Sequence, residues 1–446
     1  MLNPGIFKAY DVRGLYPSEV DEQGAYAVGR AFVEQFEPRR IAVGHDMRLS
    51  SPTMAAALIE GAADGGAKVV DVGMIGTEML YFAVGELGLD GGVTVTASHN
   101  PKQYTGMKIV RRGALPVGVE SGLADVRDRA VRGEWRDATR GEISREDIWD
   151  RFVDRVLSFV DPEAISKLRV VVDAANGMAG AMLPPVLARL PQIEVVRCFF
   201  EPDGSFPNHE PNPLLPENRE FIVGKMREES ADLGVAYDGD ADRCFFVDDL
   251  CEFVPGDFTT ALFAEHVLEK EPGGKIIYDV RASWAVPETI KHAGGVPLIN
   301  RVGHSFIKQR MREEDAVFAG EVSAHYYFRD FSKADSGVIP FLLMLELISK
   351  RGKLSALLAS LREHYFLTGE INTPVKDVAL KLQELKERFG PEGKVSHLDG
   401  LSVEARDWHF NVRPSNTEPL LRLNLEALSE ELMERKRDEV LAVIRE

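Results

Sequence analysis

The sequence predicts an α/β protein: three topologically similar α/β domains with mixed, mostly parallel sheets, plus a smaller C-terminal α+β domain, around a central cleft. Three observations carry this expectation. One plan (apolar strand, polar turn, helix, strand) occurs three times. In each copy a further strand ends in a loop rich in functional side chains. After about Gly369 the chain changes character. At 446 residues and roughly 100–200 residues per domain, about three domains are expected, with four possible.

The first copy begins with Ile41-Ala-Val-Gly-His-Asp-Met-Arg-Leu-Ser-Ser, a strand running into a polar turn, with a helical stretch from Pro52. In the second copy Val170-Val-Val-Asp-Ala-Ala-Asn-Gly precedes a helix over 178–190, and in the third Ile276-Ile-Tyr-Asp-Val-Arg-Ala-Ser precedes one over 284–293. A short strand follows each helix, beginning at Lys68, Ile193 and Val296. Continuous apolar strands alternating with helices indicate parallel sheets covered on both faces. The remainder offers a helix over 379–389, the hairpin dipeptide Asp399-Gly400 and an amphipathic helix over 429–445. The domain boundaries expected are 1–150, 151–252, 253–366 and 367–446.

The chain carries 53 Lys plus Arg against 71 Asp plus Glu, a net charge of −18. That acidity argues against nucleic acid or an anionic membrane as the main partner, because both select a basic face. Cys198, Cys244 and Cys251 are too few for a disulfide framework and match no zinc spacing. No signal peptide or membrane span is read, so a cytoplasmic location is expected.

Four loops carry the chemistry. In Thr96-Ala-Ser98-His99-Asn100-Pro101 a serine at the end of a buried strand presents its hydroxyl, although a turn serine bonded to its own backbone fits the same residues. Asp238-Gly-Asp240-Ala-Asp242-Arg243 is more specific. Three carboxylates on alternate residues repel one another unless a cation sits among them, and hard oxygen donors without His or Cys suggest Mg²⁺. An EF-hand fails, with Arg243 at its sixth position and Asp249 at its twelfth. Arg243 can pair with a phosphate held there. Gly320-Glu321-Val-Ser323-Ala-His325 suits hydrogen-bonding a polyol, or is simply an alternating strand end. Arg413-Pro-Ser415-Asn416-Thr417 suits a phosphate cradle or a Pro-bounded turn.

With these four loops in that order, the chain closely resembles the α-D-phosphohexomutases, in particular the phosphomannomutase/phosphoglucomutase group. The resemblance runs nearly end to end. It implies four domains, Ser98 as the phosphoserine, and one Mg²⁺ per chain held by Asp238, Asp240 and Asp242 with Ser98. It further implies sugar contacts from Glu321, Ser323 and His325, and a non-reacting phosphate on Arg413, Ser415, Asn416 and Thr417. Weaker matches are Tyr10 and Arg13 in Lys8-Ala-Tyr-Asp-Val-Arg-Gly, together with His99, Lys108, Arg281 and His304. Two departures stand out. Thr105 replaces the usual Asn in Tyr-Asn-Gly and tolerates a left-handed turn less well. Arg281 stands where many members have Lys, and it cannot carry a proton near neutral pH.

The activity implied is a phosphohexomutase interconverting hexose 6-phosphate and hexose 1-phosphate, mannose and/or glucose, with hexose 1,6-bisphosphate as intermediate and activator. Lys108 and His304 are the candidate acid or base, Lys108 only if cationic neighbours depress its pKa. Arg243 is the catalytic cation beside the phosphoryl group. A Mg²⁺-dependent sugar phosphatase using the same phosphoserine, or a phosphoglucosamine mutase, is the alternative. The partner implied is a phosphorylated hexose. A basic site on an acidic protein is expected, since a dianionic substrate must be attracted locally.

Overall fold

The computed structural model describes residues 2–415 and 420–446. The chain forms two compact units, Met1–Phe253 with His325–Lys353, and Val254–Ala324 with Leu354–Glu446.

The first unit opens with β1 (Val12–Leu15) and α1 (Glu22–Phe36). Asp21 caps α1, its carboxylate accepting the Gly24 N–H at 2.9 Å. The first repeat then runs β2 (Arg40–His45), α2 (Ser51–Asp64), β3 (Lys68–Met74), α3 (Thr77–Glu86) and β4 (Gly91–Val95). Strand β2 pairs in parallel with both β3 and β4. Strand β5 (Tyr104–Arg111) adds antiparallel between β4 and β1, and β6 (Leu115–Pro116) pairs with its far end. After α4 (Leu123–Arg132), β7 (Ile143–Arg145) extends the other edge beside β3, and α5 (Trp149–Leu157) leads to the second repeat.

That repeat is β8 (Leu168–Asp173), α6 (Ala179–Leu187), β9 (Ile193–Cys198), α7 (Glu220–Glu229) and β10 (Leu233–Tyr237). Strand β8 lies in parallel between β10 and β9, and β11 (Cys244–Val247) adds antiparallel to β10. The first unit breaks off within β12 (Phe253–Val254).

The second unit takes up α8 (Gly256–Lys270) and the third repeat: β13 (Lys275–Asp279), α9 (Ala285–His292), β14 (Val296–Asn300), α10 (His304–Glu314) and β15 (Phe318–Gly320). Again the first strand, β13, lies in parallel between the third and the second. The chain returns to the first unit for the antiparallel hairpin β16 (Tyr326–Phe328) and β17 (Ala334–Ser336), followed by α11 (Val338–Arg351). The second unit ends with α12 (Leu354–His364), β18 (Phe366–Pro374), α13 (Val378–Phe389), β19 (Lys394–Ser396), β20 (Leu401–Glu404), β21 (Trp408–Pro414), β22 (Leu420–Ala427) and α14 (Glu430–Arg445). These last five strands form an antiparallel sheet in the order β18-β22-β21-β20-β19. Its core includes Phe389, Trp408, Phe410, Leu421, Leu423, Val440 and Ile444.

The three-fold plan is therefore real, and it extends to a single hydrogen bond. Asp46, Asp173 and Asp279, each ending or just following the first strand of its repeat, accept the N–H of the residue two positions on, at 2.9 Å in every case. The Ser98, Asp238 and Glu321 loops follow β4, β10 and β15, at the carboxyl end of the third strand each time. Strands β4 and β10 are buried along their whole length, as their unbroken apolar runs require.

Some expectations shift. The helix over 178–190 shortens to Ala179–Leu187, with Pro184 and Pro185 inside it, and Pro191 drives Leu190 out of the helical region. Thr105 meets no left-handed turn; it lies within β5 opposite Gly14. Among the described residues no helix is long and apolar enough to cross a membrane.

Candidate active site

In the first unit, β4 delivers Ser98 in the left-handed region at φ +49. The Ser98 N–H donates to Thr96 Oγ1 at 2.9 Å. Its hydroxyl donates to Asp238 Oδ2 at 3.0 Å and lies 3.2 Å from His99 Nδ1. The two loops meet so closely that a Cβ on Gly239 would fall 2.4 Å from the Ser98 carbonyl oxygen, so only glycine fits between the first two aspartates.

Asp238, Asp240 and Asp242 are buried and bring carboxylate oxygens within 4.8 Å of one another. Lys108, on β5, donates to Asp240 Oδ2 at 2.7 Å and Asp242 Oδ2 at 2.6 Å. Thr77, the first residue of α3, donates its hydroxyl to Asp240 Oδ2. Arg243 Nε lies 3.2 Å from Asp238 Oδ2, and the Arg243 guanidinium also donates to His99 Nδ1. That donation makes Nδ1 the acceptor and leaves the imidazole proton on Nε2. Burial and the Arg243 charge together hold His99 well below its usual pKa, in its neutral form.

Electrostatics set the three aspartates apart. Burial, with repulsion from Asp242, pushes Asp238 up to about 8. Burial acts the same way on Asp240 and Asp242, but Lys108 outweighs it and both are lowered. The same contacts raise Lys108 although burial opposes them. The depressed lysine that a base role requires is thus not what forms: its nearest neighbours are carboxylates, not cations. The donor set consists of oxygens alone, and Asp240 Oδ1 accepts no hydrogen bond among the described residues. A hard divalent cation such as Mg²⁺ fits that chemistry.

Arg13, on β1, reaches the serine loop by donating to Asn100 Oδ1 and is paired with Asp11. Tyr10 is half-buried just ahead of it. His325, expected in the sugar loop, has its Nε2 3.4 Å from Asp242 Oδ1, so its ring belongs with the metal loop. Asp335 joins Asp242 and His325 in a second close group.

The second unit gathers a different set. Arg281 grips Asp279 bidentately at 2.9 Å, and Asp279 also accepts the Val322 N–H at 3.0 Å. Asp279 raises Arg281 against the opposing effect of burial. Glu321 is buried and accepts the Gly303 N–H at 3.1 Å, next to His304 at the start of α10. Ser323 follows two residues on. Arg413 stands directly opposite Arg422 across β21 and β22, a like-charge pairing that costs stability without a counter-ion. Glu370 supplies one: it accepts from Arg422 at 2.9 Å and lies 3.4 Å from Arg281 and 3.5 Å from Arg413. Ser415 Oγ lies 3.4 Å from Arg422 Nη2. Asn416 and Thr417 lie outside the described residues.

Several participants were not anticipated from sequence. Arg422 carries no motif, and only the strand register sets it against Arg413. Glu370 is aimed by the bulge between Leu367 and Glu370. Glu78, second in α3, is fully buried; it accepts the Gly337 and Val338 N–H groups at 3.2 and 3.1 Å and the Ser336 hydroxyl. Burial pushes its carboxyl up to about 8 although those three donors oppose the rise.

Residues 4–130, 150–250 and 255–365 match the α/β/α domains I, II and III of phosphoglucomutase/phosphomannomutase, and residues 370–443 match its C-terminal domain. The chain belongs to the phosphoglucomutase/phosphomannomutase family. A phosphomannomutase of Salmonella montevideo is 43% identical over 454 residues, covering 100% of both chains. A protein of Xanthomonas campestris pv. campestris described as phosphohexose mutases is also 43% identical, over 98% of this chain and 99% of its own. The crystal structure of a phosphoglucomutase/phosphomannomutase family protein from Burkholderia thailandensis matches with a TM-score of 0.90 at 34% identity, covering 100% of this chain and 98% of that one. The resemblance drawn from the four loops is borne out at the level of family and fold.

Proposed function

We propose that the chain is a phosphohexomutase interconverting hexose 6-phosphate and hexose 1-phosphate, mannose and/or glucose, through phosphorylated Ser98 and a hexose 1,6-bisphosphate. The observation that carries this reading is the Ser98 hydroxyl 3.0 Å from Asp238 within a buried three-aspartate cluster that also holds Lys108 and Arg243. A solvated acidic turn has no use for that arrangement.

In the forward step the free O1 or O6 of the hexose attacks phosphorus, the bond to Ser98 Oγ breaks, and the bisphosphate forms. Lys108 and Arg243 remain charged and donate to the phosphoryl oxygens. Of the two bases expected, His304 keeps the assignment of removing the hydroxyl proton, since Lys108 is held protonated. Asp238, Asp240 and Asp242, with Ser98, would hold Mg²⁺, which would supply positive charge beside the transferring group. Glu321 and Ser323 bind sugar hydroxyls, with His325 beside the metal loop. Arg413, Ser415, Asn416 and Thr417 hold the phosphate that is not reacting. Tyr10, Arg13, His99 and Arg281 are the remaining substrate-binding residues of this reading. After the bisphosphate turns over, Ser98 takes back the other phosphate; added bisphosphate primes the enzyme by the same route.

The four-domain division at 1–150, 151–252, 253–366 and 367–446 belongs to this reading, one loop per domain. A reducing cytosol is the compartment proposed, supported by three cysteines that form no disulfide.

The test is a coupled assay with mannose 1-phosphate and glucose 1-phosphate side by side, primed with a trace of hexose 1,6-bisphosphate. Ser98→Ala is expected to abolish turnover while sugar-phosphate binding and the melting temperature persist. Undiminished turnover in that variant overturns the proposal, as does phosphate release equal to substrate consumed with no isomer formed.

A further inference from the structure

The polar turn after β2 holds a residue that the scheme above leaves unused. Arg48 is buried, 1% exposed. Its guanidinium faces the back of the serine loop. Nη2 donates to the carbonyl oxygens of Ser98 at 2.7 Å and Asn100 at 2.6 Å. Nη1 donates to those of Pro101 at 3.0 Å and Tyr104 at 3.2 Å. All four terminal N–H groups thus end on main-chain oxygens of one loop.

We infer that Arg48 is a positioning residue of the phosphoryl transfer: it fixes the backbone of the Ser98 loop and so the direction in which the serine hydroxyl is presented. The inference rests on the phosphohexomutase reading for its catalytic consequence, but not for the grip itself. Ser98 sits at φ +49 without being glycine. A conformation of that kind persists only where its surroundings over-determine it. The Thr96 hydroxyl holds the N–H of Ser98, and Arg48 holds its carbonyl, so both sides of the strained residue are pinned.

Arg48 is itself held from every side. Asp46 Oδ1 accepts its N–H at 2.9 Å and the Ser51 hydroxyl, and Asp46 Oδ2 lies 3.4 Å from Nε. The ring of Phe206 covers the guanidinium at 5.0 Å. Gly204 lies so close that a Cβ there would fall 2.5 Å from Arg48 Cα, which closes the pocket with the chain of the second repeat.

Comparison among the repeats sharpens the role. Arg281 occupies the same place in the third repeat, two residues past Asp279, with the same 2.9 Å turn bond. There the guanidinium lies flat against its own aspartate in a bidentate pair and points its remaining nitrogen at Glu370. Arg48 forgoes that pairing and directs its terminal nitrogens to carbonyl groups. One turn has been given two uses, substrate side in the third repeat and support in the first.

A planar fork can reach four acceptors that a single ammonium cannot. Arg48→Lys keeps the charge and loses the fork, so it separates the two roles. The expected result is a kcat lowered by about 100-fold with KM changed by less than about threefold. Hydrogen exchange of amides 97–104 should quicken by about tenfold while those of β8 to β10 stay unchanged. Phe206→Leu is the gentler second variant should Arg48→Lys not fold. It loosens the cover and should move the same two readouts in the same direction by a smaller factor. A lysine variant with wild-type kcat overturns the proposal. So does a lysine variant whose activity falls in step with the folded fraction while loop exchange stays at the wild-type rate. If the wild-type protein shows no mutase activity, the functional reading fails while the exchange measurement still decides whether Arg48 holds the loop.

Discussion

Replacing Glu78 with Gln removes one buried titratable carboxyl while keeping the shape of the side chain. In the folded protein the Glu78 carboxyl is pushed up to about 8 from an ordinary 4.5, chiefly by burial, with Asp335 adding repulsion and Ser336, Gly337 and Val338 opposing through hydrogen bonds. The folded state therefore keeps a proton that the unfolded chain releases. The linkage follows in sign: the contribution is fully present below 4.5, falls as pH rises, and is gone above about 8. At about 1.4 kcal/mol per pH unit, roughly 3 kcal/mol of stability disappears between about pH 5 and about pH 7.5. Glutamine does not titrate, keeps an oxygen for the two backbone N–H groups, and leaves an amide facing the Ser336 hydroxyl. Urea unfolding of both proteins by circular dichroism across this pH range measures the difference. Glu78→Gln should gain on the wild type by about 3 kcal/mol as pH rises. A difference that stays constant with pH would refute the claim that Glu78 takes up a proton on folding.

Two further substitutions probe the charge clusters. Lys108→Met strands two buried carboxylates, Asp240 and Asp242, at a cost of about 3–5 kcal/mol. Millimolar Mg²⁺ should then raise the variant's melting temperature more than the wild type's, and an equal response would remove the case for a cation among the aspartates. Glu370→Gln leaves Arg281, Arg413 and Arg422 without their shared counter-ion. Inorganic phosphate should raise the melting temperature of that variant more than that of the wild type, and identical shifts would count against an anion site there.

Much of the fold was legible because it depends on local pattern. Apolar runs of three or four residues followed by polar turns and helices mark the three repeats, and the third-first-second strand order is what parallel units of this kind adopt. The serine and metal loops were legible because their residue types are costly anywhere but at a site. What escaped had no local mark. Arg48 read as a charge in a polar turn, since its partners are main-chain carbonyls that any sequence supplies. Glu78 belongs to no motif, and its donor Ser336 lies 258 positions away. Arg422 became visible only through strand register, and Glu370 through a bulge. The condition set for Lys108 as a base, cationic neighbours that depress its pKa, is not met, because sequence could name the charges in the site but not which of them touch.

The excursion of the chain has a consequence for biosynthesis. The first unit stops at Phe253 and resumes at His325, with the intervening segment belonging to the second. On the ribosome, at about 5–20 residues per second, several seconds pass before β16, β17 and α11 can complete the first unit. During that interval Glu78 waits without Ser336, Gly337 and Val338, and Asp242 without His325. A nascent chain arrested before residue 325 should therefore hold the serine and metal loops in an immature state, one that proteases or chaperones could distinguish from the finished enzyme. No single cut yields either unit intact, so making the two halves separately would require rewiring the chain.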